Sequence, residues 1–275
     1  MGRIAIVLAA TLLAFAILVS CSGNQRPEKR SSEEWFERGE KLWDGKAYKT
    51  PEVAVQYFSR AIKEDPLLST AYNNRGLAYH GLEKYELALS DFEKAIGIEP
   101  NMAEAFYNRG IALGKLSRHD EAIQSFSSAL ELDPEMAIAH NERGLSYFHL
   151  GNYSRAGADF SRAVELDPKM PVAYYNRGIT RSEMKQFQQS LDDYDKAVQI
   201  DPQFAKAFYN RGFVYRDVEQ PEQACTDWKK ACELGFANGC GAVRTNCNAG
   251  NEAQEAIPEQ PEAEDDSEQI PSSEP

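Results

Sequence analysis

The sequence predicts an all-α chain, a solenoid of about six antiparallel helix pairs closed by a C-terminal capping helix. Two interleaved periods and one pattern of side-chain size predict it. Glycines recur at 76, 110, 144, 178 and 212, and prolines at 66, 100, 134, 168 and 202, each set in steps of 34 residues. Self-similarity at such a period marks a stack of supersecondary units that bury their apolar faces against one another. Twelve residues after each glycine comes a small residue (Ala88, Ala122, Ala156, Ser190, Ala224), and four further on an aromatic (Phe92, Phe126, Phe160, Tyr194, Trp228). Ala95, Ala129, Ala163, Ala197 and Ala231 follow in the same frame.

The first helix of each unit carries the glycine, within Ala71-Tyr-Asn-Asn-Arg-Gly76, Ala105-Phe-Tyr-Asn-Arg-Gly110, Ala139-His-Asn-Glu-Arg-Gly144, Ala173-Tyr-Tyr-Asn-Arg-Gly178 and Ala207-Phe-Tyr-Asn-Arg-Gly212. The second helix carries two small residues seven apart on one face. Small side chains let paired backbones approach, and the aromatics fill the space toward neighbours. Each proline follows an acidic residue and ends the second helix, because the residue before proline avoids the helical region. The first copy departs from the frame. Gly39, in Trp35-Phe-Glu-Arg-Gly39, lies 27 residues before Pro66 where the others have 24, so three extra residues belong to the turn within 45–51.

This pattern resembles the tetratricopeptide repeat, over residues 32 to about 235 in six copies. The resemblance implies a right-handed solenoid whose first (A) helices line a concave groove, and a function of holding proteins rather than catalysis. The inward positions of the family fall on Asn74, Asn108, Glu142, Asn176 and Asn210, then on Asn73, Tyr107, Asn141, Tyr175 and Tyr209, and on Leu77, Ile111, Leu145, Ile179 and Phe213. A row of amides can match the C=O and N–H of an extended peptide, and tyrosines add flat contact. The row is similar to the asparagine ladder by which some members hold extended chains; the alternative is that it bonds between helices. It does not resemble the carboxylate-clamp subclass.

The arginines before the glycines (Arg75, Arg109, Arg143, Arg177, Arg211) face Asp91, Asp159, Asp193 and Asp227, with Ser125 and Tyr57 at that position in two copies. An interhelix Arg–Asp ladder is expected, in preference to a row binding acids or phosphate. Of the four histidines, His119 and His140 fall at core or boundary positions, while His80 and His149 are expected nearer the groove.

Four cysteines close the array. Cys225 and Cys232 are seven apart on the last second helix, and Cys240 and Cys247 are seven apart on a final helix within 237–248, after a turn at Gly235. Facing residues of antiparallel helices keep a constant sum of positions, and the pairs 225/247 and 232/240 share one sum, so a single register brings both together. The stretch Ala231-Cys-Glu-Leu-Gly with Asn238-Gly-Cys also resembles Sel1-like repeats, which implies helix-to-helix disulfides Cys225–Cys247 and Cys232–Cys240. A zinc site needs four ligands at one point and fits poorly; free buried thiols are a third option.

The termini differ in composition. Residues 4–19 are a sixteen-residue apolar run after a single positive charge at Arg3, the size of a signal-peptide core. It ends in Leu18-Val19-Ser20-Cys21, which resembles the bacterial lipobox and implies an acylated Cys21; a signal cut elsewhere or an uncleaved anchor are the alternatives. The expected division is a lipoprotein signal peptide over 1–20, a polar tether over 21–31, the array over 32–248 and an acidic disordered tail over 249–275. Nine acidic residues and no Lys or Arg lie in that tail, so most of the net charge of −13 belongs to it, and nucleic acid is not expected as a partner.

No phosphate loop, metal-ligand spacing or nucleophile motif appears, so no enzymatic activity, metal or cofactor is expected. The resemblance points to a lipid-anchored adaptor binding protein partners or extended peptides, exported to a bacterial membrane and expected at the periplasmic side of the outer membrane. Similar lipoproteins serve as cell-wall enzyme adaptors or as pilotins of pilus secretins. A bridging protein without a peptide ligand, or a secreted repeat protein binding host factors, are the alternatives.

Overall fold

The structure, a computed structural model, describes residues 31–247. The lipobox-like segment with Cys21, most of the tether and the acidic tail lie outside the described residues. Among the described residues, thirteen helices follow one another: α1 (Ser32–Glu40), α2 (Pro51–Glu64), α3 (Ser69–Gly81), α4 (Tyr85–Ile98), α5 (Ala103–Lys115), α6 (His119–Leu132), α7 (Ala137–His149), α8 (Tyr153–Leu166), α9 (Pro171–Glu183), α10 (Phe187–Ile200), α11 (Ala205–Asp217), α12 (Pro221–Glu233) and α13 (Ala237–Asn246). They form an all-α repeat solenoid of six antiparallel pairs, α1–α2 through α11–α12, with α13 against α12. The A helices of neighbouring pairs (α3 with α5, α5 with α7, α7 with α9, α9 with α11) also touch, which sets them on the inner side of the curve.

The close approach within each pair rests on the glycine. A methyl on Gly76 would lie 2.5 Å from the Phe92 ring, and one on Gly212 would lie 2.5 Å from the Trp228 indole nitrogen. Any larger residue must therefore push the two helices apart. Opposite, Ala88, Ala122, Ala156, Ser190 and Ala224 are fully buried, as are the rings of Phe92 and Phe160. Ser190 is tolerated at this apolar seam because its hydroxyl donates to the Gly178 carbonyl at 2.7 Å.

The second helices of the first five pairs stop at the acidic residue before proline. The N–H groups of Asp65, Asp133, Asp167 and Asp201 return to the carbonyls of Ala61, Ala129, Ala163 and Ala197. Their side chains then accept the N–H two residues on, at 2.9–3.1 Å. This is the Asx turn that a short carboxylate closes without help. Glu99, one carbon longer, reaches instead to accept from Ser69 Oγ of α3 at 2.7 Å.

Between the helices of a pair, the chain turns through one residue of positive φ. Glu83, Ser117, Lys185 and Glu219 hold φ of 57–62° there, and Gly151 takes the place at 72°. The three extra residues of the first copy form a small loop in which Asp44 Oδ1 accepts the N–H groups of Lys46 and Ala47 at 2.9 and 3.0 Å. Gly45 takes φ +100° at its tip, and Trp43 packs on Tyr48, which caps Phe58.

Candidate interaction groove and stapled end

The A helices carry two rows of polar side chains toward one another. Asn108 Nδ2 donates to Asn73 Oδ1 at 3.0 Å, Asn176 Nδ2 to Asn141 Oδ1 at 3.1 Å, and Asn210 Nδ2 to the Tyr175 hydroxyl at 2.9 Å. Each bond spans 35 residues, from one A helix to the one before it. The amide row is thus engaged between repeats. Asn176 is fully buried, and Tyr107 and Tyr175 are only 7% and 3% exposed, so these three do not line an open surface as the sequence pattern suggests. The physical reason is distance: with neighbouring A helices in contact, an amide at this phase meets the helix beside it before it meets solvent.

What stays half-buried on the same turns is Asn74, Asn108, Asn210, Tyr209, Leu77, Ile111, Ile179 and Phe213. Tyr209 stands edge-on to Phe213 and to Phe236, with ring centroids 4.9 and 5.1 Å apart, so the C-terminal end of the row is aromatic. These half-buried positions make an aliphatic and aromatic stripe with three amide heads along it.

The arginine row holds the pairs together. Arg75, Arg143 and Arg211 make two-pronged bonds to Asp91, Asp159 and Asp227 at 2.7–2.8 Å, and Arg177 does the same with Asp193 at 2.7–3.2 Å. A third nitrogen of each reaches back to the second helix of the preceding unit, at Ser59, Ser127, Ser161 and Asp195. The two partners lie 16 residues after and 16 before each arginine, so one guanidinium spans three helices. Only the forward partners follow from reading one repeat; the backward ones appear when the same offset is carried across the repeat boundary. Arg109 differs, with Ser125 at 3.2 Å and the exposed Glu93 at 3.5 Å, and its Nε is buried without a partner.

Burial opposes the charge of Asp159, yet the bonds from Arg143 and His140 outweigh it and hold the carboxyl below its ordinary value. His140, which replaces a packing aromatic, is 12% exposed with Nδ1 3.3 Å from Asp159. His119 stacks on His149 at 4.6 Å between ring centres. Burial lowers the His119 pKa, which favours its neutral form. His80 lies edge-on to Tyr85.

At the C-terminal end, Gly235 turns the chain at φ +85° and α13 folds back on α12. Gly239 faces Ala231 and the Cys232 backbone at under 3 Å from any added methyl, which fixes how near the two helices lie. The structure joins Cys225 to Cys247 and Cys232 to Cys240, with Cα atoms 5.6 and 4.6 Å apart. Both separations are ones a disulfide spans without moving the backbone. Among the described residues, no group of three His, Cys, Asp or Glu is placed to hold a metal, and no helix is long and apolar enough to cross a membrane.

Sequence models of the tetratricopeptide repeat match residues 107–171, residues 69–102 and 171–204, and residues 193–226, together more than half of the chain. No curated protein matches it. Among solved structures, the chain is similar to PilW, a type IV pilus biogenesis factor, with a TM-score of 0.69 and 21% identity over 78% of this chain and 98% of that one. It is similar to Pseudomonas aeruginosa pilF with a TM-score of 0.66 and 17% identity, over 76% and 96%. It is also similar to YrrB, described as a repeat protein with an unusual peptide-binding site, with a TM-score of 0.58 and 24% identity, over 69% and 99%. These likenesses are of fold. Period, helix pairing and family match converge on one conclusion: the chain belongs to the tetratricopeptide-repeat family and is a protein-interaction scaffold.

Proposed function

We propose that this protein is an exported, lipid-anchored adaptor that holds an extended segment of a partner protein in its concave groove. The observation that carries the reading is the half-buried stripe of Leu77, Ile111, Ile179 and Phe213, flanked by the amides of Asn74, Asn108 and Asn210. Such a surface offers apolar contact with a few oriented polar groups, the composition of a peptide site. With Asn108 and Asn210 giving their amide N–H to neighbours, affinity comes mainly from the stripe, and the remaining acceptors set orientation.

Export and anchoring are supported by the apolar run over 4–19, by Leu18-Val19-Ser20-Cys21, and by four cysteines set in pairs, an arrangement at home in an oxidising compartment. Several acyl chains on Cys21 add about 0.8 kcal/mol per buried CH₂, enough for a stable anchor where one chain is marginal. In this reading residues 1–20 are the signal, 21–31 the tether, 32–248 the array and 249–275 a solvated tail. The work is envelope assembly at the periplasmic face of the outer membrane, as a cell-wall enzyme adaptor or in the manner of a pilotin. The fold likeness to PilW and pilF is in keeping with the latter. No reaction, cofactor or nucleic acid is part of it.

Two measurements test it together. Labelled palmitate enters the wild-type protein and not the Cys21→Ala variant if Cys21 is acylated. A pull-down from envelope extract recovers a partner with the wild-type groove and loses it when Ile111, Ile179 and Phe213 are changed to Ser. Equal recovery by both proteins refutes the groove, and label in neither refutes the anchor.

A further inference from the structure

The first copy leaves the repeat frame at one place, and that place is on the surface. Its helices α1 and α2 are joined by residues 41–50, where the next copy turns within 82–84. The longer loop is held in shape by its own backbone. Asp44 donates its N–H to the Ala47 carbonyl at 3.1 Å, and Lys49 donates to the Leu42 carbonyl at 3.0 Å. Trp43 and Tyr48 face each other across these bonds. Tyr48 turns inward and is 8% exposed, whereas Trp43 keeps 37% of its surface open. Around Trp43 stand three exposed lysines, Lys41, Lys46 and Lys49, against the single carboxylate of Asp44. Lys41 lies 3.8 Å from Glu37, while among the described residues Lys46 and Lys49 are in no ion pair.

The second copy continues this surface. Gly81, the last residue of α3, lies against Pro51, whose Cβ is 3.9 Å from where a methyl on Gly81 would stand. The loop and the α3–α4 turn therefore share one edge of the solenoid. On that edge Leu87 is 49% exposed, at the position where later copies carry Glu121, Arg155, Gln189 and Gln223. Glu83 and Glu86 surround Lys84 there, so the excess positive charge of the edge belongs to the loop. Neither Trp43 nor Leu87 follows from the repeat, and both lie in the copies nearest Cys21.

We infer that this edge, centred on Trp43, Lys46 and Lys49, is a second contact with the membrane surface that holds the acylated Cys21. The inference rests on the anchored reading above and deepens it. Tryptophan seats at the headgroup level, where its ring meets apolar chains and its indole N–H stays wet. Lysine stems lie along such a surface while the ammonium reaches lipid phosphate. The chain also fixes the distance. Residues 22–31 span at most about 35 Å between Cys21 and α1, so the first two copies are held close to the lipid. At that confinement a weak contact is enough, because the tether sets the effective concentration. One anchor leaves the array free to swivel, and a second point selects the edge that faces the membrane.

The test places the full acylated chain on vesicles of phosphatidylethanolamine with one third phosphatidylglycerol, with brominated lipid as a quencher of tryptophan emission. Wild type is expected to show a quenched component. Trp43→Phe, which keeps a ring against Tyr48, should lack that component. Lys46→Glu combined with Lys49→Glu should lower the ratio of docked to free loop about tenfold or more, the scale of two cations at an anionic surface. Both variants change exposed side chains and should keep the wild-type helix content and melting temperature. Wild-type emission untouched by the quencher, as when the acidic tail or another protein covers the loop, overturns the contact. Quenching that survives in Trp43→Phe, or that the charge reversal leaves unchanged, overturns it too. Palmitate label on Cys21 with an unquenched Trp43 removes this contact and leaves the anchor standing. Label absent from Cys21 removes both.

Discussion

The arginine row contains its own experiment. Four of its members grip a buried aspartate with two nitrogens, whereas Arg109 meets Ser125 and leaves Nε buried and unmatched. Its side chain is 27% exposed against 14–21% for Arg75, Arg143, Arg177 and Arg211, in keeping with a looser hold. Ser125→Asp should complete the clamp. Two charge-assisted bonds contribute about 1.5–3 kcal/mol each, and burying one more carboxylate costs several kcal/mol, which good geometry offsets. A net gain of about 1–2 kcal/mol raises the melting temperature of a chain this size by about 2–8 °C. Calorimetry on four proteins decides: wild type, Ser125→Asp, Arg109→Leu, and the pair combined. The combined variant leaves a buried carboxylate unpaired and should fall about 3–5 kcal/mol below Ser125→Asp. A Ser125→Asp protein that melts lower than wild type, or a cycle in which the two changes simply add, refutes the account of the row.

Three further outcomes are expected. Reduction of the end pair, or Cys225→Ser with Cys247→Ser, should destabilise the α12–α13 cap by about 3 kcal/mol, the loop-closure value for a separation of 22 residues; unfolding with and without reductant reads it, and non-reducing peptide mapping must find the 225–247 and 232–240 linkages. Lys185→Gly and Glu219→Gly relieve residues held at φ 59° and 62° and should each stabilise by about 0.5–1 kcal/mol in denaturant titrations. Because the Asp159 carboxyl is depressed in the folded state, its contribution is full above the unfolded carboxylate pKa of about 4 and is lost as pH falls through the folded value; Asp159→Ala should cost about 3 kcal/mol near neutrality and flatten the acid limb of the stability profile.

Much of the fold was legible because 34 residues return every side chain to the same environment, so coincidence of glycine, aromatic and proline frames locates both helices of a pair. The arginine–aspartate pairing was legible for the same reason. Less visible was which way an amide points. Adjacent positions on a helix differ by about 100°, so the row at 74, 108, 176 and 210 is assigned inward by phase alone, and phase does not say how near the next A helix lies. Asn176 is buried for that reason, and Tyr107 and Tyr175 with it. The positive-φ turns escaped notice because Glu83, Ser117, Lys185 and Glu219 replace the glycine that ordinarily marks such a position.

The guanidinium that spans three helices does more than join them. Apolar seams permit sliding, whereas a planar fork with fixed bond directions sets both the spacing and the tilt from one unit to the next. The solenoid is in that sense a spring whose stiffness is set joint by joint. Four joints are stiff and the one at Arg109 is soft, which places the compliant point of the groove beside Tyr107. A segment lying along the groove as proposed would meet one clamped unit on one side of that point and three on the other. Little order would then have to be created on binding except at that one joint, where the width can adjust.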